Sequence, residues 1–281
     1  MAASILAPTA RWRMLLPLLL LCAALTAASW WTVEALVISQ TLHEGRTVAD
    51  LAENVGRWAS QYGGVHARTV GTDARFPGSF LTRSVFASTQ HDNAALSGAR
   101  TPEAVDEQAA MKRVETYYWK NPALVQREVA DVIMASGSQA RYRMTARSVL
   151  NQSNAPNAFE VQALDAIQNE GNQKEYWQVQ SGQLLYARAI VAQKSCLLCH
   201  TSPETAPEFI RNNSMFNGGG GYGYAEGKPV GLISVSVPLQ TNRQALADSV
   251  SARVWTALAA GLVALLWLLV VVWRRASSRS G

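Results

Sequence analysis

Two runs of 20 residues without a charged side chain, Met14–Val33 and Val254–Trp273, lie near the two ends of this 281-residue chain. Each is long enough, as a helix, to cross about 30 Å of hydrocarbon. Arg11 and Arg13 precede the first run, and Arg274, Arg275 and Arg279 follow the second. Basic residues mark the cytoplasmic flank of a span, so both termini are expected in the cytoplasm and residues 34–253 on the other side. The division expected is therefore a cytoplasmic N-terminus (1–13), a first transmembrane helix (14–33), an outer region, a second transmembrane helix (254–273) and a cytoplasmic tail (274–281). Trp12 and Trp273 fall at the proposed inner edges, and Trp30, Trp31 and Trp255 at the outer ones, where interfacial aromatics belong. A cleaved signal peptide competes for the first run, because Ala23 to Ser29 is rich in small residues. Its length and the amphipathic sequence directly after it favour retention as a span or uncleaved anchor. Cys22 follows Leu21, not the small residue a lipoprotein site wants, and reads as an apolar residue in the membrane.

About 220 residues between the runs can bury a substantial core. The net charge of +5 owes much to the flanking arginines, and no basic run occurs between the spans. Nucleic acid is therefore not an expected partner. From Glu34 to Tyr62, Leu36, Val37, Val48, Leu51, Val55 and Trp58 recur at near-helical spacing, predicting a helical stalk over 34–62 that Gly63-Gly64 terminates. Residues 69–100 have no period and read as a long loop. Helix starts are expected at Thr101-Pro102 and Asn121-Pro122. Asn157 with Glu160 predicts a capping box for a helix to about Glu170, stopped by Gly171. Strands are expected over Arg141–Val149, Tyr176–Val179, Leu184–Val191 and Val230–Val237. The class is α+β: helices on an antiparallel sheet.

Cys196-Leu197-Leu198-Cys199-His200 carries the chemistry. C-x-x-C-H is the attachment signature of a c-type haem: two thiols add across the porphyrin vinyl groups and the adjacent imidazole coordinates the iron. A thioredoxin-like pair would need the motif to open a helix in a βαβ unit, whereas a strand leads into it here. A closed zinc site needs four ligands, and no second cysteine pair or clustered histidines supply them. A disulfide across so short a loop leaves His200 unexplained. Covalent haem attachment takes place on the outer side of the bacterial plasma membrane, which agrees with a two-pass inner-membrane protein whose main domain is periplasmic. Paired carboxylates, a Ser-His-Asp order and a second haem motif are all missing, so an enzyme is not expected.

Small soluble cytochromes c carry this motif early in a helical domain, unlike the late motif between strands here. The chain instead resembles the single-haem, PAS-like periplasmic sensory domains found ahead of bacterial histidine kinases and as stand-alone c-type haem proteins. The resemblance rests on Trp58 with Gly63-Gly64-Val65, Asn121-Pro122-Ala123-Leu124, Asn151, Asn154-Ala155-Pro156-Asn157 and Phe159-Glu160. It continues through Tyr186-Ala187, the haem motif and Gly231 to Pro238. It implies a PAS-like sheet over 63–240, one covalent haem c, and a sensory role in redox or gas signalling. Members can be extended by a kinase; only eight residues follow Trp273, so the signal is expected to pass to a separate membrane or cytoplasmic partner, and a homodimer is compatible. The alternative is a membrane-bound single-haem electron carrier that docks a redox partner.

One relative uses a cysteine of the N-terminal helical region as sixth iron ligand, and no cysteine lies between the spans outside the motif. Distal candidates are then His43 on the stalk, His66 after Gly63-Gly64-Val65, and Met144 in a strand. Met215, in the Gly-rich segment after the motif, is a weaker one. His/His ligation lowers the potential and closes the iron to gases, Met raises it, and an open position admits NO, CO or O₂. Asn217 to Tyr224 reads as a loop near the haem edge, with Tyr222 or Tyr224 as a cover. Arg188 and Lys194 could pair with propionates, although solvated surface charge is the simpler account of both.

Overall fold

The computed structural model describes residues 9–68, 117–169, 173–211, 219–249 and 251–278. The expected loop after Thr69, the helix start at Thr101-Pro102, the Gly171 stop and Met215 lie outside them. The chain divides into two compact units, Met1–His43 with Pro238–Gly281, and Glu44–Val237.

In the first unit the N-terminal residues belong to a helix over Thr9–Gln61. Its Leu19–Gln61 portion is long and apolar enough to cross a membrane, and Leu239–Ser249 with Arg253–Leu268 reaches that standard only when the two are counted together. Trp30 and Trp31 are 68% and 74% exposed, as aromatics facing lipid or its interface would be. The polar contacts of this unit cluster where the apolar stretch ends. Asn242 Nδ2 donates to the buried Thr41 hydroxyl at 3.1 Å, and Arg243 reaches both carboxylate oxygens of Glu34 at 2.6 and 2.8 Å.

The second unit is α+β. A four-stranded sheet has the order β3 (Arg141–Thr145), β6 (Pro229–Pro238), β5 (Gln183–Val191), β4 (Glu175–Gln180), with β3–β6 and β4–β5 antiparallel. A separate antiparallel pair joins β1 (Val65–Arg68) to β2 (Tyr117–Lys120). In β6, Leu232, Ile233, Ser234, Val235 and Val237 are all buried. That continuous burial over Leu232–Val235, Ser234 included, marks an interior strand covered on both faces. The β4–β5 hairpin turns on Ser181 and Gly182, at φ 52° and 74°, the primed geometry that glycine adopts without strain and that matches the twist of its strands.

The helix Ala158–Asn169 lies on this sheet. Phe159, Ala163, Leu164 and Ile167, spaced to share one helical face, pack with Ala187 of β5 and Leu232 of β6. Its start is the expected capping box: Glu160 N donates to Asn157 Oδ1 at 2.9 Å while Asn157 N donates to Glu160 Oε2 at 2.8 Å. Arg143 adds a hydrogen bond to that carboxylate at 3.2 Å. The helix Pro122–Ala135 begins as read, with Asn121 Oδ1 accepting from Leu124 N at 2.8 Å. At the end of the N-terminal helix, Gly64 N donates to Ala59 O at 2.9 Å.

One strand is shorter than its pattern suggested. The β3 ladder ends at Thr145 opposite Leu232, and residues 146–149, read as its continuation, leave the sheet. Ser148 explains the departure, because its hydroxyl accepts the Gly221 N–H at 2.9 Å.

Candidate functional site

Strand β5 delivers the chain to the haem-type motif. Two backbone bonds, Ala192 N to Lys228 O and Gly227 N to Ala192 O, both at 2.9 Å, tie its end to the approach to β6. A 3₁₀ turn over Lys194–Cys196 leads into one helical turn over Leu197–His200. Cys196 and Cys199, three residues apart on that turn, come to the same side. Both thiols are free, so the disulfide reading does not describe this structure. The Gln193 N–H donates to Cys196 Sγ at 3.4 Å. Burial pushes the Cys199 thiol up, and the neighbouring Cys196 adds to the shift.

The glycine-rich loop clamps the motif. Gly223 N donates to Thr201 O at 3.0 Å and Tyr224 N to His200 O at 3.1 Å. The Tyr224 ring stacks on the His200 imidazole with centroids 4.5 Å apart and planes 9° from parallel. His200 Nδ1 lies 2.6 Å from Gly221 O. A carbonyl only accepts, so Nδ1 carries the hydrogen and Nε2 keeps its lone pair, the tautomer a metal-binding histidine uses. Burial lowers the imidazole pKa and outweighs the opposing effect of the Gly221 carbonyl. Gly221 itself has φ +79°, and a Cβ there would meet Leu150 Cγ at 2.7 Å and Leu150 N at 2.8 Å. Both the backbone angle and the space therefore call for glycine.

Cys196, Cys199, His200 and Tyr224 line a cavity of about 520 Å³, within the usual range of roughly 300–1,000 Å³ for cofactor and ligand sites. The sheet adds Met144, Ala189, Val191 and Ile233, and the N-terminal helix adds Glu53, Gly56, Arg57 and Ser60. Apolar walls, two free thiols on one helical turn and an imidazole oriented by a carbonyl together fit a covalently held haem. Among the described residues no group of three or more His, Cys, Asp or Glu converges on a metal-sized site.

The distal candidates separate. Met144 is in the lining. His43 is an exposed residue of the N-terminal helix and belongs to the other compact unit. The backbone of His66 pairs with Trp119 in β1–β2, and its side chain lies outside the described residues. Arg188 corrects its reading as solvated charge. Its side chain is 18% exposed and ion-paired with Asp50, with Glu53 at 3.8 Å and its Nε bonded to Tyr186 Oη at 3.1 Å. Tyr186 Oη donates to Glu175 Oε2 at 2.8 Å, and Glu175 pairs with Arg46. Lys194 is exposed, as read. The reading missed Ser148, Gln193 and the Gly221 carbonyl, whose roles arise only from contacts across the chain.

The Tll0287-like family model matches residues 36–238. The chain belongs to that family. Among solved structures it is similar to the cyanobacterial haem protein Tll0287, with 30% identity covering 41% of this chain and 69% of that one, at a TM-score of 0.36. No curated protein matches. The Tll0287-like match takes in the motif, the clamp loop and every described strand, and it stops at Pro238, where β6 ends.

Proposed function

We propose that this chain is a membrane-anchored periplasmic c-type haem protein that senses redox state or a small gas and signals to a separate partner. Cys196 and Cys199 would hold one haem covalently through their sulfurs, and His200 Nε2 would ligate its iron. The carrying observation is the convergence of both thiols and the carbonyl-oriented imidazole on one cavity. Membership of a family with a haem protein among its solved members supports it.

Bound there, the haem supplies a one-electron couple and an iron site for small ligands. The chain's own residues set its character. The Gly221 carbonyl accepts from Nδ1–H and so raises the basicity of Nε2, while Tyr224 stacks on the ring and holds its orientation. Met144 is the distal candidate that lines the cavity. For signalling, one continuous helix carries both the apolar stretch and the cavity residues Glu53, Gly56, Arg57 and Ser60. The second reading, an electron carrier docking a redox partner, draws support from Leu198, which is 71% exposed inside the motif and would offer an apolar contact at the haem edge.

Absorption spectra of the purified full chain, oxidised, reduced and exposed to NO or CO, test the proposal. Haem that stays with the chain after denaturation and responds to either gas, or that couples its redox state to a conformational change, fits the sensor. Rapid electron exchange with indifference to both gases and no structural response points to the carrier. No covalently retained haem would overturn both.

A further inference from the structure

A second cavity of about 310 Å³ adjoins the first. Asn121, Ala123, Met144, Asn151 and Asn154 line both, whereas Cys196, Cys199 and His200 line only the larger. The shared partition thus holds one thioether and three amides. Two of these amides have a fixed orientation. Asn121 Oδ1 accepts from Leu124 N at 2.8 Å, and Asn151 Oδ1 accepts from Ser153 N at 2.9 Å. Flipping either amide would set N–H against N–H, so the acceptor end is committed to the backbone and the Nδ2 end, a donor only, is what remains. Among the described residues nothing accepts from either Nδ2. Arg127, Asp131 and Arg143 also line the smaller cavity, and Arg143 is held by Glu160 and by the Ser153 and Ala155 carbonyls.

We propose that this partition is a receptor for a small hydrogen-bond-accepting anion, held beside Met144 by the Nδ2 groups of Asn121 and Asn151. The inference rests on the haem reading and extends it by naming the ligand class. Donors beside a haem cavity favour ligands that carry negative charge and do little for a neutral, weakly accepting one such as CO.

Asn121→Asp and Asn151→Asp keep the capping oxygen and replace the donor with a second acceptor. Azide is titrated into the oxidised full chain and CO into the reduced one, following haem absorption, with parallel titrations in a Met144→Leu background that removes the thioether from the partition. The expected result is an azide Kd at least about tenfold weaker in each Asp variant, as for loss of a hydrogen bond to a charged partner. Thermal midpoints and CO affinity should stay close to those of the parent. Equal azide affinities in both backgrounds, or no response to azide in either, would overturn the proposal while leaving the haem reading intact. Failure of the haem reading shows separately, as the absence of haem retained on the denatured chain.

Discussion

The two parts of the cavity lining are built in opposite ways. The part around His200 comes from a contiguous pentapeptide and a loop that returns within about 25 residues of it, held by backbone bonds and one ring stack. The partition around Met144 comes from three separate segments, the Asn121 cap, strand β3 and the Asn151–Asn154 turn. Local assembly fixes chemistry to a sequence signature. Remote assembly leaves the ligand-facing groups to be decided by which side-chain atoms the backbone has already used.

Replacing Cys196 and Cys199 together by Ala should have the largest effect, complete loss of haem retained after denaturation, as seen by haem staining of a denaturing gel. The Asn121→Asp and Asn151→Asp variants should retain full haem. If they too lost it, the division of the lining into attachment and ligand-recognition parts would fail.

Gly221→Ala tests whether the clamp is a separable feature of the motif side. A side chain at φ +79° and within 2.8 Å of the Leu150 backbone nitrogen should cost about 2–3 kcal/mol in urea unfolding. It should also shift the haem spectrum through the displaced His200 acceptor. A normal spectrum with lowered stability would show that the carbonyl does not tune the imidazole.

Tyr186→Phe should have the smallest effect, about 1 kcal/mol, with the haem spectrum unchanged, because it acts on the ion-pair ladder between Arg46 and Arg188 and leaves both parts of the lining alone. The same ladder predicts a pH dependence. Hydrogen bonding to Arg46 holds the Glu175 carboxyl below its ordinary 4.5, against the opposing effect of burial. The native state then binds fewer protons than the unfolded one. Its contribution is present above the ordinary value and is lost as pH falls through the lower folded one. Denaturant midpoints from about pH 6 to pH 3 should fall less steeply in Glu175→Gln than in the parent. Parallel curves would remove the ladder from the acid response.

Much of the second unit was legible in advance because its signals are short-range. A cap needs only Asn121 and a Pro at the next position, a capping box only Asn157 and Glu160 three residues apart, and a strand only the β-branched-rich segment ending in Val237. The readings that changed were those where a distant partner competes with local pattern. Residues 146–149 directly continue a strand pattern, yet the Ser148 hydroxyl bonds the Gly221 N–H and the chain leaves the sheet. Arg188 looks like surface charge in a strand, yet Asp50 and Glu53, more than 130 residues earlier, hold it.

From the sequence alone came the haem-type motif, the helix starts at Asn121 and Asn157, the α+β class and the apolar stretches, because each depends on residue types within a few positions of one another. Tertiary structure alone decided that the Gly221 carbonyl orients His200 and that Met144, Asn121 and Asn151 come together in one cavity wall. Those outcomes depend on which groups meet across long sequence separations and on which hydrogen-bonding ends are already spent, and neither is encoded in a spacing.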